Sequence, residues 1–216
     1  MSETQKDSSS IPISIYIQWP LIKLGKSVKN MVNGYKRIFQ VEPEDLRAIY
    51  LKKSRAADLR GDTAKSVKFM ELIVSKYPKD AEMFYQLGIA YEKSAQYDSA
   101  SKAYKKVISI QPTFSKAHYR IGILCMRDRD YESALQSMNE AIQLEPESAE
   151  INFRLGQICD RLKDFDKAIV FFTKAVTLNP KFIQAYKNMA LTYDSMDNHK
   201  KALECLKRVL ELEETV

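Results

Sequence analysis

One pattern recurs five times along this chain of 216 residues, with a period of 34 residues and no insertion between units. The first position of each unit falls at Arg47, Ala81, Ser115, Ala149 and Ile183. Position 7 holds Lys53, Leu87, Ile121, Leu155 and Met189. Position 8 is always small, with Ser54, Gly88, Gly122, Gly156 and Ala190. Position 20 is small as well, with Ser66, Ala100, Ala134, Ala168 and Ala202. Position 32 holds Pro78, Pro112, Pro146, Pro180 and Glu214. A fixed period of this length is typical of proteins built by stacking one supersecondary unit.

Each unit contains two apolar-periodic segments, both too short to be stable helices alone in water. In the second unit they run roughly from Ala81 to Lys93 and from Tyr97 to Ser109. The small residues at positions 8 and 20 let the two helix backbones approach, and bulky residues such as Leu87, Tyr104 and Ile108 fill the remaining space. The proline at position 32 cannot donate a helix hydrogen bond and helps to end the second helix. One unit cannot bury its apolar face alone, whereas stacked units share a continuous core.

These positions resemble the tetratricopeptide repeat family, closely in units two to four. The first unit is degenerate at Lys53, Ser54 and Ser66, and the fifth has Glu214 in place of the final proline. The resemblance implies an all-α, right-handed α-solenoid of five helix-turn-helix repeats with an N-terminal helical leader. We expect a disordered N-terminus at residues 1–12 and a basic amphipathic leader at 13–46, either a degenerate repeat or a capping helix. The expected repeats are residues 47–80, 81–114, 115–148, 149–182 and 183–216.

Composition and cysteine usage argue against several classes of protein. The chain is 45% hydrophobic and 29% charged and lacks a twenty-residue apolar run, so we expect a soluble, helical protein without a transmembrane helix. The apolar stretch 11–22 follows a polar start and contains two prolines, which does not fit a secretory signal.

The three cysteines, Cys125, Cys159 and Cys205, lack metal-ligand spacing. They favour core positions in a protein of a reducing compartment. No nucleophile motif or phosphate-binding glycine loop appears. We therefore expect no enzyme, no cofactor and no metal.

The basic excess of the chain lies mostly in the leader. The first 40 residues hold six Lys or Arg and two acidic residues, a net charge of +4 out of +6 for the whole chain. Their apolar residues follow helical spacings of three and four, at Leu21, Leu24, Val28, Met31, Tyr35 and Phe39. This stretch fits a cap on the first repeat, a docking element for another copy, or attachment to an anionic membrane surface. A nucleic-acid partner is not expected, because the rest of the chain is nearly neutral and carries no recognised motif.

The family resemblance places the first helix of each repeat along a concave groove, with positions 2, 5, 6, 9, 12 and 13 towards it. The predicted peptide- or protein-binding residues are Tyr85, Lys93, Lys116, Tyr119, Arg120, Arg127, Phe153, Arg154, Arg161 and Asn188. Aromatic and arginine side chains at regular spacing suit an acidic or mixed peptide or helix. The alternative is that the aromatic residues are partly core and that the arginines only keep the groove wall soluble.

The layout of the chain adds a narrower resemblance. Five repeats follow a basic leader that contains Leu24-Gly25, Asn30-Met31-Val32 and Phe39. This layout resembles the magnetosome-associated tetratricopeptide proteins of magnetotactic bacteria over nearly the whole length. It implies a non-enzymatic scaffold that self-assembles on the cytoplasmic face of the magnetosome membrane, with peripheral attachment, and that recruits or organises other magnetosome-associated proteins.

In that family the leader acts as an additional repeat motif that docks into the groove of a neighbouring copy, so the first partner implied is the protein itself, as a homo-oligomer. The leader residues named above would carry this self-assembly. The alternative function is a monomeric adaptor that binds acidic client peptides in its groove for a pilus, secretion or chaperone system.

Overall fold

The computed structural model describes residues 43–214, and these residues form ten α-helices and no strand. In chain order the helices are α1 (Pro43–Leu59), α2 (Thr63–Lys76), α3 (Ala81–Lys93), α4 (Tyr97–Ile110), α5 (Ser115–Arg127), α6 (Tyr131–Leu144), α7 (Ala149–Arg161), α8 (Phe165–Leu178), α9 (Ile183–Ser195) and α10 (His199–Glu213). Odd-numbered helices are the first helices of the five repeats, and even-numbered helices are the second. The two helices predicted for the second repeat are confirmed to within one residue.

The described residues from Tyr50 onward form one compact unit, and the packing described below lies within it. In repeats two to five the first helix packs most extensively on the second helix of its own repeat. Each of the second helices α2, α4, α6 and α8 also packs against the first helix of the next repeat. Four hydrophobic clusters lie at these junctions and form the core. The predicted all-α repeat architecture is therefore confirmed.

The small residues at position 8 lie against bulky residues at position 24 of the same repeat. A Cβ atom placed on Gly88 would clash with the ring of Tyr104, and one on Gly156 would lie 2.5 Å from the ring of Phe172. On Gly122 it would lie 2.8 Å from the side chain of Met138. Ordinary contacts of a Cβ atom begin at 3.4 Å. These glycines therefore let the two helices of a repeat approach, as the spacing predicted.

The first repeat has a polar contact at the corresponding place. The buried hydroxyl groups of Ser54 and Ser66 lie 2.8 Å apart and satisfy each other. The Lys53 ammonium lies 5.8 Å from the ring centroid of Tyr50 and 5.9 Å from that of Phe69, within the range of a cation–π contact. Lys53, Ser54 and Ser66, at which this unit departs from the repeat pattern, therefore each contact a residue of the same repeat.

The turn between the two helices uses the same geometry in all five repeats. Position 15 has a positive φ, at Gly61 (74°), Ala95 (57°), Arg129 (63°), Lys163 (63°) and Asp197 (58°). Position 16 is the N-cap of the second helix, where the side chain accepts a hydrogen bond from the backbone three residues on at Asp62, Asp130, Asp164 and Asn198. Gln96 makes no such bond. The repeated turn holds each helix pair in the same register.

Candidate functional site

The predicted groove residues lie on the first helices α3, α5, α7 and α9, and side chains of successive repeats meet there. We call the side of these helices that carries positions 2, 5, 6, 9, 12 and 13 the first-helix face. On it Tyr119 of α5 donates a hydrogen bond to Glu150 of α7, and Arg120 of α5 donates one to Glu92 of α3. The predicted self-assembly residues of the leader, from Leu21 to Phe39, lie outside the described residues.

Two of the predicted aromatic groove residues are part of the core. Tyr85 is 9% exposed and Phe153 is 3% exposed. The ring of Tyr85 packs 5.1 Å from the ring of Phe114, and the ring of Phe153 packs 4.8 Å from the ring of Phe182, measured between centroids. These rings support the wall of the first-helix face from behind, which is the alternative that the sequence left open. Tyr119 is half-buried, and its hydroxyl group is bound to Glu150.

Arg120 forms an ion pair that joins the second and third repeats. Its Nη1 atom lies 3.3 Å from Oε2 of Glu92. The Tyr104 hydroxyl donates to the other oxygen of the same carboxylate at 2.6 Å. Burial, and then the neighbouring Glu92 carboxylate, raise the pKa of Tyr104 far above its usual value. Tyr104 therefore remains a hydrogen-bond donor, and Glu92 is shared between two partners in a half-buried setting.

Arg154 occupies the position equivalent to Arg120 one repeat later but pairs differently. The repeat before it has Met126 where Glu92 stands, so no acid is available at that place. Arg154 instead pairs with Glu150 on its own helix at 2.7 Å and donates to Gln157 at 3.1 Å. Because Glu150 also accepts from Tyr119, this cluster links the third and fourth repeats.

The remaining cations of the predicted site fall into two groups. Lys93 pairs with Asp58 at 2.5 Å, and Arg127 lies over the ring of Tyr97 with Cζ 3.4 Å from its centroid. Lys116 and Arg161, by contrast, are exposed and have no hydrogen-bond or ion-pair partner within residues 43–214. These two cations are therefore available to a ligand.

Two hollows lie between the first helices, and each contains one of the two available cations. The first has a volume of about 220 Å³ and is lined by Lys116, Tyr119 and Arg120 together with Glu145 and Glu150. The second has a volume of about 180 Å³ and is lined by Met126, Arg161 and Asn188 together with Asp160. Small-molecule sites generally occupy about 300 Å³ or more. These hollows therefore suit individual side chains of a protein or peptide ligand.

The sequence analysis did not single out the acidic partners of the arginines. Glu92 and Glu150 fix the guanidinium groups of Arg120 and Arg154. For Glu150 and Arg154 the available signal was a spacing of four residues on one predicted helix. For Glu92 and Arg120 it was an acid at position 12 of one repeat and an arginine at position 6 of the next. It indicates a contact only when the offset between neighbouring first helices is known.

The described residues contain no cluster of His, Cys, Asp or Glu suited to hold a metal ion. The three cysteines are free thiols, and burial raises the pKa of the Cys159 thiol to about 11. Between residues 43 and 214, no helix combines the length and the apolar character that crossing a membrane requires.

Comparison with solved structures shows that the chain is similar to MamA. A MamA structure from Desulfovibrio magneticus RS-1 is 27% identical, with a TM-score of 0.74, and the match covers 79% of this chain and 97% of that one. A second MamA structure is 25% identical, with a TM-score of 0.71 and coverage of 75% and 95%. A third, of AMB-1, is 26% identical, with a TM-score of 0.67 and coverage of 80% and 94%. No curated protein sequence matches the chain.

Family models give the same assignment as the structures. Models of the tetratricopeptide repeat match residues 81–114, 115–148, 149–182 and 183–216, which together make up well over half of the chain. The helix pairs, the small-to-large contacts and the repeated turn are those of this family, and the structural similarity is to MamA. The chain belongs to the tetratricopeptide repeat family.

Proposed function

We propose that the protein is a non-enzymatic interaction scaffold that self-assembles on the cytoplasmic face of the magnetosome membrane and organises other magnetosome-associated proteins there. The observation that carries the proposal is the similarity to MamA, which extends over 79% of this chain at 27% identity. Membrane attachment is peripheral and is made through protein partners.

The first-helix face is the surface we assign to client proteins. Lys116 and Arg161 are exposed, lack partners among the described residues and lie on successive first helices. Each lies beside a hollow that can take a side chain. Cations held at fixed spacing on rigid helices favour an extended acidic segment, because a guanidinium or ammonium group binds carboxylates through charge-assisted hydrogen bonds.

Catalysis is not part of the proposal. Arg120 is bound to Glu92 of the preceding repeat, and Arg154 is bound to Glu150 on its own helix. The Cys159 thiol, whose pKa burial raises to about 11, remains protonated at neutral pH and is a poor nucleophile.

A fluorescent fusion expressed in a magnetotactic bacterium tests the cellular role. The proposal predicts a linear signal along the magnetosome chain, and a high-salt or carbonate wash should release the protein from isolated magnetosomes. A diffuse signal in cells that contain magnetosomes would contradict it.

Binding of a glutamate-rich peptide, measured by fluorescence anisotropy, tests the client surface. Exchanging both Lys116 and Arg161 for Glu should weaken binding roughly tenfold or more, since two favourable charge contacts become repulsive. The matched control is Lys106→Glu with Lys174→Glu, which changes the net charge equally on exposed parts of second helices. If the two double variants weaken peptide binding equally, the first-helix face is not the surface that binds clients.

A monomeric adaptor is the second candidate, and the two available cations favour it equally well. It predicts a molar mass that does not change with concentration and an acidic peptide that saturates the first-helix face at one site per chain. The scaffold instead predicts a mass that rises with concentration.

A further inference from the structure

The last described helix, α10, carries a stripe of exposed leucines. Leu203 is 55% exposed, Leu206 is 46% exposed and Leu210 is 60% exposed. Their spacing of three and four residues places them on one side of the helix. Within residues 43–214, α10 packs extensively against α9 alone. We call the surface formed by these three leucines the end face.

The equivalent surface is covered wherever another repeat follows. Leu206 stands at position 24, where Met70 is 2% exposed and Tyr104, Met138 and Phe172 are 0% exposed. In each of these four repeats the first helix of the following repeat packs against the second helix that carries the residue. The end face is therefore an uncovered copy of the interface that joins one repeat to the next.

Position 12 of the first helix carries an acid that binds the following repeat. In the first repeat Asp58 pairs with Lys93 at 2.5 Å, and in the fourth Asp160 accepts a hydrogen bond from Thr192 at 2.8 Å. The ion pair of Glu92 described above is the corresponding contact of the second repeat. The third repeat has a methionine at this position and lacks the contact. A polar bond beside the apolar interface thus recurs at three of the four junctions.

The fifth repeat also has an acid at position 12, without such a contact among the described residues. Asp194 is exposed, and its Oδ1 atom accepts a hydrogen bond from His199 at 2.8 Å. Glu92 likewise combines a partner in its own repeat, Tyr104, with one in the next repeat. The Oδ2 atom of Asp194 has no partner between residues 43 and 214, so this carboxylate can accept from a cation of another chain.

A cation lies on the edge of the leucine stripe. Lys207 stands at position 25, four residues after Leu203 and three before Leu210, and is exposed. In the first repeat the same position holds Glu71, whose carboxylate accepts a hydrogen bond from Tyr91 at position 11 of the next repeat. Position 25 therefore faces position 11 of the helix that covers it.

The glutamates near the end of α10 are bound within the chain. Glu211 pairs with Arg208 at 2.8 Å, and Glu213 pairs with Lys187 at 2.7 Å. Lys207 has no hydrogen-bond or ion-pair partner in the described part of the chain. It is therefore the available charge beside the middle of the stripe.

The junctions inside this chain define the helix that fits the end face. Each helix that packs on a preceding second helix places apolar residues at i, i+4 and i+7, as in Ala117, Ile121 and Leu124, and in Ile151, Leu155 and Ile158. Arg120 shows that residue i+3 meets the acid of position 12, and Tyr91 shows that residue i+8 meets position 25. Opposite Asp194 and Lys207, a fitting helix needs a cation at i+3 and an acid at i+8.

The chain's own free segments lack this combination. In the leader the apolar residues with the required spacing begin at Leu24, and Ser27 stands at i+3 and Val32 at i+8. Helix α1 of a second copy has Lys53 in place of the central apolar residue. The charges of the end face therefore favour a helix of a different protein.

We propose that the end face, with Asp194 and Lys207 beside it, binds an amphipathic helix of a partner protein. That helix carries apolar residues at i, i+4 and i+7, a cation at i+3 and an acid at i+8, and it packs on α10 as the first helix of a further repeat would. The leucines supply the buried apolar area, and the two charges fix the register of the bound helix. This site goes beyond the proposed function, because it requires neither self-assembly nor an acidic client.

The probe is a peptide with the sequence of α5, Ser115–Arg127, in which Cys125 is replaced by Glu. It carries the apolar triad of α5, Arg120 at i+3 and the new Glu at i+8. Helix α5 suits this purpose because it contains no acid of its own that could pair with Arg120. A hydrocarbon crosslink on the side opposite the triad keeps the peptide helical, since 13 residues alone are marginal in water.

Fluorescence anisotropy with the full-length chain measures binding of this peptide. Leu206→Glu should weaken binding roughly tenfold or more, because it places a charge in the apolar contact. The matched control is Val170→Glu, on an exposed part of α8, which should bind like the unmodified chain. Circular dichroism of both variants checks that their helical content is unchanged. If Leu206→Glu binds as tightly as the unmodified chain, the end face is not the docking site.

A charge exchange between the chain and the peptide tests the register. Asp194→Lys should weaken binding roughly fivefold, and a peptide with Arg120→Glu should recover binding to this variant while losing affinity for the unmodified chain. Glu140→Lys, at an exposed acid of α6, is the matched control and should leave binding of both peptides unchanged. Failure of the second peptide to recover binding would contradict the contact at Asp194.

Other occupants of the end face give different results. A full-length chain that does not bind the peptide, because its own leader closes the surface, would overturn the proposal. So would binding that disappears at concentrations where light scattering shows assembly, because a second copy would then occupy the end face. Binding that persists through assembly is the expected result.

Discussion

At the scale of single residues, the side chain at position 16 separates helix α4 from the other second helices. Asp62, Asp130 and Asp164 each accept a hydrogen bond from the backbone at their helix start, whereas Gln96 does not. We expect Gln96→Asp to raise the free energy of unfolding by about 1 kcal/mol, because it supplies the missing cap. Urea unfolding measures the change, and Asp130→Gln should lower the free energy by a similar amount. If Gln96→Asp and the unmodified chain are equally stable, the aspartate does not form the capping hydrogen bond at this turn.

The glycines of position 8 provide a second test at the same scale. In Gly156→Ala the new methyl group meets the rigid ring of Phe172, whereas in Gly122→Ala it meets the movable side chain of Met138. We expect Gly156→Ala to lower the free energy of unfolding by about 1–3 kcal/mol and Gly122→Ala to lower it less, because methionine adapts its rotamer. Chemical unfolding of the two variants side by side checks the order. A larger loss in Gly122→Ala would contradict the packing described for these helices.

At the scale of helices, tyrosine hydroxyl groups join neighbouring elements. Tyr91 of α3 donates to Glu71 of α2 at 2.7 Å, and Tyr104 of α4 donates to Glu92 of α3 at 2.6 Å. Burial, and then Glu71, raise the pKa of Tyr91 to about 12, and burial raises that of Tyr104 further. In the unfolded chain a tyrosine ionises near pH 10, so from there upward the folded state holds more protons than the unfolded state.

This difference in proton binding predicts how stability depends on alkaline pH. The contribution of the two hydroxyl groups is fully present below about pH 10 and is lost as pH rises towards 12 and beyond. Urea unfolding between pH 8 and pH 11 should show this fall, and Tyr104→Phe should make it shallower than in the unmodified chain. A variant with an unchanged slope would show that Tyr104 does not carry the effect.

The sequence predicted the helices better than it predicted the contacts of the groove. The small residues Gly88 and Gly156 could be assigned to close helix contacts because a fixed offset pairs them with Tyr104 and Phe172 inside one repeat. The ion pair between Arg120 and Glu92 depends on how one repeat is rotated against the next. The repeat period alone does not specify that rotation. For the same reason Tyr85 could not be assigned to the core in advance.

At the scale of the whole molecule, the surface proposed to bind clients is a charged one. The first-helix face offers Lys116 and Arg161 to acidic clients. Salt screens exposed charges, with a Debye length of about 8 Å at physiological ionic strength and about 3 Å at 1 M. Raising sodium chloride from physiological strength to 1 M should therefore weaken the binding of an acidic peptide to this face. Peptide binding that is as strong at 1 M as at physiological salt would show that Lys116 and Arg161 do not carry it.

The molar mass of the unmodified chain, measured by multi-angle light scattering as a function of concentration, tests the scaffold most directly. One copy has a mass of 24.9 kDa. A self-assembling scaffold predicts a mean mass that climbs past that of a dimer and continues to rise with concentration, because a head-to-tail contact does not close. A mass that remains at 24.9 kDa over the whole range would contradict it.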